Sequence, residues 1–363
     1  MDNDVILKIK DSVDLFLTED SLLTVYYMNT RIRKSFKVNP LTVQLLESID
    51  GMSNISDLAK SINLDIVEVR SLIQALLAHK IITPIYSDTS FEDSSRYTRQ
   101  INYFSEFYET EEMAYSAQKK LANYNILVLG CGAIGGAIAV QLAMAGVQHF
   151  TVFDDDIVME SDISRHIYFQ ERYIGKKKTE ALASFLKQID SRIIVNCINE
   201  YLEPKTNIEE MVSNADFIIN TLDEPYIGYT AAKISRICVK YKKPHYIAGG
   251  FDAHLASTGE LIIPGITPCV ECYATYFKEK LKGWKPKKHP VISRSEELGG
   301  LSSLSLFSAS YASMEIVKCL LSLVDMEKEY KIRGEFLFDS MELTYLDVPK
   351  NDLCPVCGAL KDE

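Results

Sequence analysis

The sequence predicts an α/β chain in which a mostly parallel sheet is preceded by a small winged-helix-like domain. Three observations carry this expectation. Asn125 to Gly136 reads NILVLGCGAIGG, an apolar run followed by glycines at G-x-G-x-x-G spacing. Two C-x-x-C pairs, Cys269/Cys272 and Cys354/Cys357, lie far apart in the second half of the chain. Residues 1–85 alternate strand-like and helix-like patterns with their own caps and turns.

Ile126 to Leu129 is too short for a free-standing helix and suits a strand buried in a parallel sheet. Gly130, Gly132 and Gly135 follow, and Ala137 to Ala145 carries apolar residues at helical spacing. Strand, glycine turn and helix start therefore come in the order of a Rossmann-like nucleotide-binding unit. The glycines let the backbone turn tightly and approach phosphate, while the helix start offers free N–H groups. A tight turn without a ligand would leave the same glycine spacing.

At 363 residues the chain has room for two or three domains, and 47% hydrophobic residues supply a substantial core. A net charge of −11 argues against wholesale nucleic-acid binding. Met1 to Asp14 mixes charged and apolar residues and does not read as a signal peptide. No uninterrupted apolar run reaches the roughly 18 residues of a membrane span, so no membrane association is expected. Eight cysteines without an export signal do not suggest a disulfide scaffold. Their C-x-x-C pairing points instead to metal in a reducing cytoplasm.

Within the first domain, Leu22 to Met28 and Ile32 to Val38 read as strands joined by the turn Asn29-Thr30-Arg31. Asn39-Pro40 is a helix cap followed by proline, and that helix is expected to end near Asp50 and Gly51. A short helix over 55–62 follows. Asp65 and Glu68 then start a third helix, 66–79, with Val69, Leu72, Ile73, Leu76 and Leu77 on one face. Lys80 to Ile85 returns as a strand. The third helix and its end supply only Arg70 and Lys80, too few cations for a DNA-recognition helix. Packing or dimerisation without a ligand stays open for this domain. Tyr86 to Ser95 is polar and acidic and reads as a linker.

The second sheet strand, Phe150 to Phe153, ends in Asp154-Asp155-Asp156, where a carboxylate can meet ribose hydroxyls. The residues after this strand separate one nucleotide chemistry from another. Arg165 and the lysines Lys176 to Lys178 have no evident use in hydride transfer, whereas fixed cations stabilise charge developing on phosphate oxygens. Another apolar strand, Phe217 to Asn220, leads to Asp223, a carboxylate suited to Mg²⁺.

On these residues, with Arg96-Tyr97-Thr98-Arg99-Gln100 ahead of them, residues 96–363 resemble the ThiF/MoeB family of ubiquitin-activating-enzyme-like adenylyltransferases. The resemblance implies binding of ATP and Mg²⁺ and adenylation of a carboxylate. It also implies Arg99 reaching the phosphates from the partner of a homodimer, Asp154 and Asp156 at the nucleotide, Arg165 and Lys178 at the phosphates, and Asp223 at Mg²⁺. Where the family has N-L-x-R-Q, this chain has Asp162-Ile163-Ser164-Arg165-His166, which adds an acid and removes a glutamine. Residues 1–85 resemble the RiPP recognition element, a peptide clamp that binds the leader of a ribosomally made precursor peptide by strand addition.

Cys269, Cys272, Cys354 and Cys357 suit a structural tetrahedral Zn²⁺ that ties the chain end back to the sheet domain. A redox dithiol would need only one pair. Residues 276–300 form an expected crossover loop with Lys278, Lys280, Lys282, Lys285, Lys287 and Lys288, either a solvated run or a cover for an acidic peptide. The loop holds no cysteine, which disfavours thioester transfer. Ser302 to Leu321 is an expected helix, and Lys331 to Tyr345 is expected to complete the sheet. The combined expectation is ATP-dependent adenylation of a carboxylate on a precursor peptide, in the manner of peptide-antibiotic maturation. Two alternatives are a non-catalytic peptide-binding partner of a separate cyclodehydratase and a sulfur-carrier-protein adenylyltransferase.

Overall fold

A computed structural model describes residues 3–19, 21–85, 94–252, 255–285, 287 and 299–358. The chain forms two compact units, Met1–Lys119 and Lys120–Glu363. The expected linker at 86–95 falls largely outside the described residues.

The first unit begins with strands β1 (Ile6–Ile9), β2 (Val13–Glu19), β3 (Leu22–Tyr27) and β4 (Ile32–Lys37). The helices α1 (Pro40–Ser48), α2 (Ile55–Ser61) and α3 (Ile66–Ala78) follow, then β5 (Ile82–Ile85), α4 (Ser94–Phe104) and α5 (Glu111–Asn123). The expected hairpin is in fact the β3–β4 half of a three-stranded antiparallel sheet with β3 in the middle. β2 is hard to foresee because its alternation breaks: Phe16 and Leu17 are both about half exposed. The hairpin turn works without glycine because Arg31 adopts a left-handed backbone, φ 60°.

β1 pairs antiparallel with β5. Side chains of Asn39, Asn54 and Asp65 cap the three helices by accepting backbone N–H groups. The first helix closes at Ile49, two residues before Gly51. Leu45, Ile55, Leu58, Val69 and Ile73 fill the core between helices and strands. Glu106, in the turn between α4 and α5, accepts from Ser12 Oγ at 2.6 Å and Asn29 Nδ2 at 2.7 Å, so these helices belong to the same unit as the strands.

The second unit runs β6 (Asn125–Leu129), α6 (Ala133–Ala145), β7 (His149–Phe153), α7 (Lys178–Ile189), β8 (Ile194–Ile198), α8 (Glu209–Asn214), β9 (Phe217–Asn220), α9 (Ile227–Lys240) and β10 (His245–Ile247). It continues with β11 (Phe251–Asp252), β12 (Leu255–Ser257), β13 (Glu260–Ile262), α10 (Val270–Lys280), α11 (Ser302–Leu321), α12 (Met326–Glu329), β14 (Gly334–Leu337) and β15 (Glu342–Tyr345). The central sheet has the order β13-β10-β9-β6-β7-β8, parallel throughout except for β13. The chain leaves β6 toward β7 on one side and later places β9 on the other. The C-terminal ends of β6 and β9 therefore mark a switch point, where open α/β sheets bind ligands.

Two expectations are corrected here. β14 and β15 do not complete the central sheet but join β11 and β12 in a separate antiparallel sheet. Tyr276 to Lys280 continue α10, so the expected lysine-rich loop begins inside a helix; Lys278, Lys280, Lys282, Lys285 and Lys287 are exposed, and Lys288 lies outside the described residues. α11 is the one described helix long and apolar enough to cross a membrane by length and composition, although serines interrupt its apolar run. Half of that stretch is buried within the fold, where it packs on α6. α6 is itself apolar all round and almost wholly enclosed, as a helix between sheet and helix must be.

The glycine turn is set by close contacts. Gly130 has φ +95°, and Thr221 Oγ1, just after β9, donates to its carbonyl at 3.0 Å. A Cβ at Gly135 would stand 2.0 Å from the Gly130 carbonyl oxygen. Gly135→Ala is therefore expected to force the turn open and cost about 1–3 kcal/mol, the range for overpacking. Thermal denaturation should show a lowered melting temperature, together with weakened nucleotide binding.

Candidate active site

The crevice lies at the C-terminal ends of β9, β6 and β7. Gly132 caps the start of α6 with no side-chain hydrogen bond, so the first-turn N–H groups keep open valence. A Cβ at Gly132 would meet nothing within 4 Å. Protein packing therefore does not demand glycine there, and the absent side chain leaves the backbone open to close approach.

Asp154, at the end of β7, is nearly buried. One of its oxygens accepts the Cys131 N–H at 2.6 Å and the other the Asp156 N–H at 2.8 Å. Burial pushes this carboxyl up, and the two N–H groups and the Lys178 charge pull against that rise. Asp154 thus braces the glycine turn as well as standing where a ribose-binding carboxylate is expected.

Lys178 opens α7 and reaches back to Asp156, with Nζ to Oδ2 at 2.6 Å. Its side chain is only 12% exposed. Burial alone would lower its pKa, but the carboxylates of Asp156, Asp154 and Asp162 outweigh burial and raise it, so the cation is held charged.

Between β7 and α7 the chain forms a 3₁₀ turn over Glu160–Ser164 that presents Asp162, Arg165 and His166. Asp162 is 1% exposed. Its Oδ2 accepts the Met159 N–H at 2.9 Å, and its Oδ1 lies 3.3 Å from Arg165 Nη2 and 3.4 Å from His166 Nε2. His166 is buried against Tyr168, with ring centroids 5.3 Å apart, and its Nδ1 has no hydrogen-bond partner among the described residues. The Tyr168 hydroxyl donates to the Cys131 carbonyl, so the segment is tied to the glycine turn. Burial drives the Tyr168 pKa up and keeps it a donor.

The structure thus brings together Gly130, Gly132, Gly135, Asp154, Asp156, Asp162, Arg165 and Lys178 around the strand ends. Asp223 lies in the loop after β9, exposed, with no hydrogen bond or ion pair among the described residues. Arg99 is exposed on α4 of the first unit. Sequence reasoning passed over Thr221 and Tyr168. Thr221 follows a buried strand directly, a place where a small hydroxyl can meet the neighbouring turn, but Tyr168 carries no comparable signal.

The second centre is at the chain end. The sulfurs of Cys269, Cys272, Cys354 and Cys357 all lie within 4.8 Å of one another, with separations of 3.9, 3.6 and 3.5 Å along three edges. A Zn–S bond of about 2.3 Å gives tetrahedral edges of about 3.8 Å, so the four thiolates fit zinc. All four are buried among Ala231, Val239, Ile247 and Ile262, as a closed structural site requires.

A doubly wound domain with a phosphate-ready switch point and a separate thiolate cage defines a class of nucleotide-dependent enzyme. The family model for the ThiF family matches residues 97–356, and the chain belongs to that family as an adenylating enzyme. Among curated relatives, Protein HesA of Nostoc sp. is 26% identical over 67% of this chain and 88% of its own length. The SAMP-activating enzyme E1 of Haloferax volcanii is 25% identical over 71% and 89%. Among solved structures, E. coli MccB with ATP superposes with TM-score 0.73 at 20% identity, over 97% of this chain and 99% of that one. The microcin C7 biosynthetic enzyme MccB with N-formylated MccA gives TM-score 0.74 at 19% over the same shares, and PaaA gives 0.71 at 20% over 94% and 100%.

Cys357→Ser should lose the bound zinc that elemental analysis of the purified wild-type chain is expected to find. The variant should also melt at lower temperature, since closing a four-thiolate site contributes to folding.

Proposed function

We propose that this chain adenylates a carboxylate of a ribosomally made precursor peptide as a step in peptide-antibiotic maturation. The observation that carries the proposal is the gathering of Arg165, Lys178, Asp154 and the open start of α6 at one switch point, in a chain that also has its own first unit. That first unit is covered by the likeness to MccB, a protein solved with the peptide MccA.

The peptide carboxylate oxygen attacks the α-phosphorus of ATP, a new P–O bond forms, and the bond to the departing pyrophosphate breaks. Arg165 and Lys178 face the charge that collects on the pyrophosphate oxygens. The N–H groups of the first turn of α6 orient the phosphates, and Asp154 with Asp156 meets the ribose side. Asp223 would hold Mg²⁺, which screens phosphate charge when bound. Arg99 from a second copy of the chain would complete the phosphate contacts in a homodimer. A nitrogen nucleophile then attacks the acyl carbon of the adenylate, the C–O bond to AMP breaks, and the nitrogen loses a proton as AMP leaves; the region 276–300 offers no cysteine for a thioester route.

The first unit would hold the leader of the precursor by strand addition to its three-stranded sheet. A second reading, activation of a small carrier protein, is favoured by the names of relatives such as the SAMP-activating enzyme E1. Pyrophosphate exchange that depends on a short peptide rather than a carrier protein decides between the two.

Asp223→Ala should reduce magnesium-dependent pyrophosphate exchange by at least about a hundredfold, the scale of losing one preorganised charge contact, while leaving the melting temperature unchanged; retained exchange removes Asp223 from the mechanism. Removing residues 1–85 should abolish leader binding measured by fluorescence anisotropy. Equal affinity of the full and shortened chains refutes the clamp.

A further inference from the structure

The Asp162–His166 pair is unlike the rest of the crevice. Asp162 places a carboxylate, almost fully buried, between Arg165 on one side and His166 on the other. His166 has only 2% of its side chain exposed, one nitrogen 3.4 Å from that carboxylate, and the other nitrogen buried with no partner among the described residues. Nothing in the glycine turn or the Lys178–Asp156 pair calls for a titratable ring at this place.

The charges facing His166 come from every element around it. Asp162 and Arg165 share its own segment, Lys178 faces it from the start of α7, and Asp156 from the loop after β7. Tyr168 packs beside it, and its hydroxyl donates to the Cys131 carbonyl in the glycine turn. With His166 neutral, the three carboxylates Asp154, Asp156 and Asp162 stand against the two cations Arg165 and Lys178 around the ring. A polyphosphate must then enter against the charge of those carboxylates.

Burial, Lys178 and Arg165 all act to keep the imidazole neutral in the free protein, and Asp162 and Asp156 oppose them. Phosphate oxygens bound at Arg165 and Lys178 neutralise the two cations that repel a proton on His166. They also leave Asp162 facing added negative charge. Both changes favour protonation of the pair.

We propose that His166 is a positioning residue that takes up a proton when nucleotide binds, cancelling the charge of Asp162 and holding Arg165 toward the phosphates. This rests on the adenylation reading above and goes beyond it by fixing what the aspartate and histidine do together. The bound state holds the proton more tightly than the free state. Burial holds the free imidazole down at about 4, so nucleotide affinity rises as pH falls through the bound-state pKa and levels off near that lower value.

The test uses the full chain with magnesium and the non-cleavable α,β-methylene analogue of ATP. Calorimetric titration at about pH 6.5, in buffers of different ionisation enthalpy, reads protons taken up per nucleotide bound. Wild type is expected to take up about 0.5–1 proton more than His166→Gln, and to lose at least about threefold in affinity between pH 6 and pH 7.5 where the variant changes less. The double variant Asp162→Asn/His166→Gln restores an uncharged pair of similar shape, guards against a folding defect in the single variant, and should show the same loss of proton uptake. Equal proton uptake by all three proteins, each binding the analogue, overturns the proposal and leaves adenylation standing. Failure of the wild-type chain to bind the analogue overturns both.

Discussion

Two hydrogen bonds to one buried carboxylate set the geometry of the crevice. Asp154 accepts the Cys131 N–H inside the glycine turn and the Asp156 N–H in the turn after β7. These turns leave neighbouring parallel strands, so a single side chain fixes their spacing. Thr221 does the same from the β9 side, donating to the carbonyls of Leu129 and Gly130. With the turn clamped from both flanks, α6 begins at Gly132 with its first N–H groups unclaimed by side chains. Burying a carboxylate is costly unless it is hydrogen-bonded, and here the bonds that offset the cost are those that shape the glycine turn.

The same crevice is assembled from opposed charges rather than from cations alone. Lys178 is held by Asp156, and Arg165 stands beside Asp162. A buried lysine without such a partner would shed its proton or swing out to water. Partnering keeps Lys178 charged and fixed at the first residue of α7, but it adds a competitor that an arriving phosphate must displace. On the adenylation proposed above, a multiply charged oxygen cluster would displace a single exposed carboxylate more readily than a weakly charged ligand would, so the pairing would favour polyphosphate through competition as well as attraction.

Much of this was legible in the sequence because it is carried by local rules. The run from Asn125 to Gly136 announces strand, turn and helix through residue types that allow little else, and Asn39-Pro40 and Asp65 declare helix starts that the structure repeats. The two C-x-x-C pairs announce a thiolate cage because spacing alone brings each pair to one side of a turn. What was not legible depends on contacts made only after folding. β2 hides behind two exposed apolar residues, Phe16 and Leu17. β14 and β15 have the composition of any strand, and nothing local tells which sheet they join. The hold of Tyr168 on the Cys131 carbonyl spans thirty-seven positions and leaves no mark in either neighbourhood.

The Asp162 and His166 substitutions show how far a fold constrains its charges. Likeness to MccB covers nearly the whole chain at about one residue in five identical, so the backbone tolerates wide change of side chains. A buried acid in place of the amide of the family pattern adds a negative charge beside Arg165, and alone it would compete with the phosphate of the proposed reaction for that cation. The companion histidine sits one helical turn further on, within 3.4 Å of the new carboxylate, and it is a group able to answer that charge with a proton. The two departures from the family pattern are therefore best understood as one change in two places: the acid alters the site's charge, and the imidazole supplies the means of changing it back.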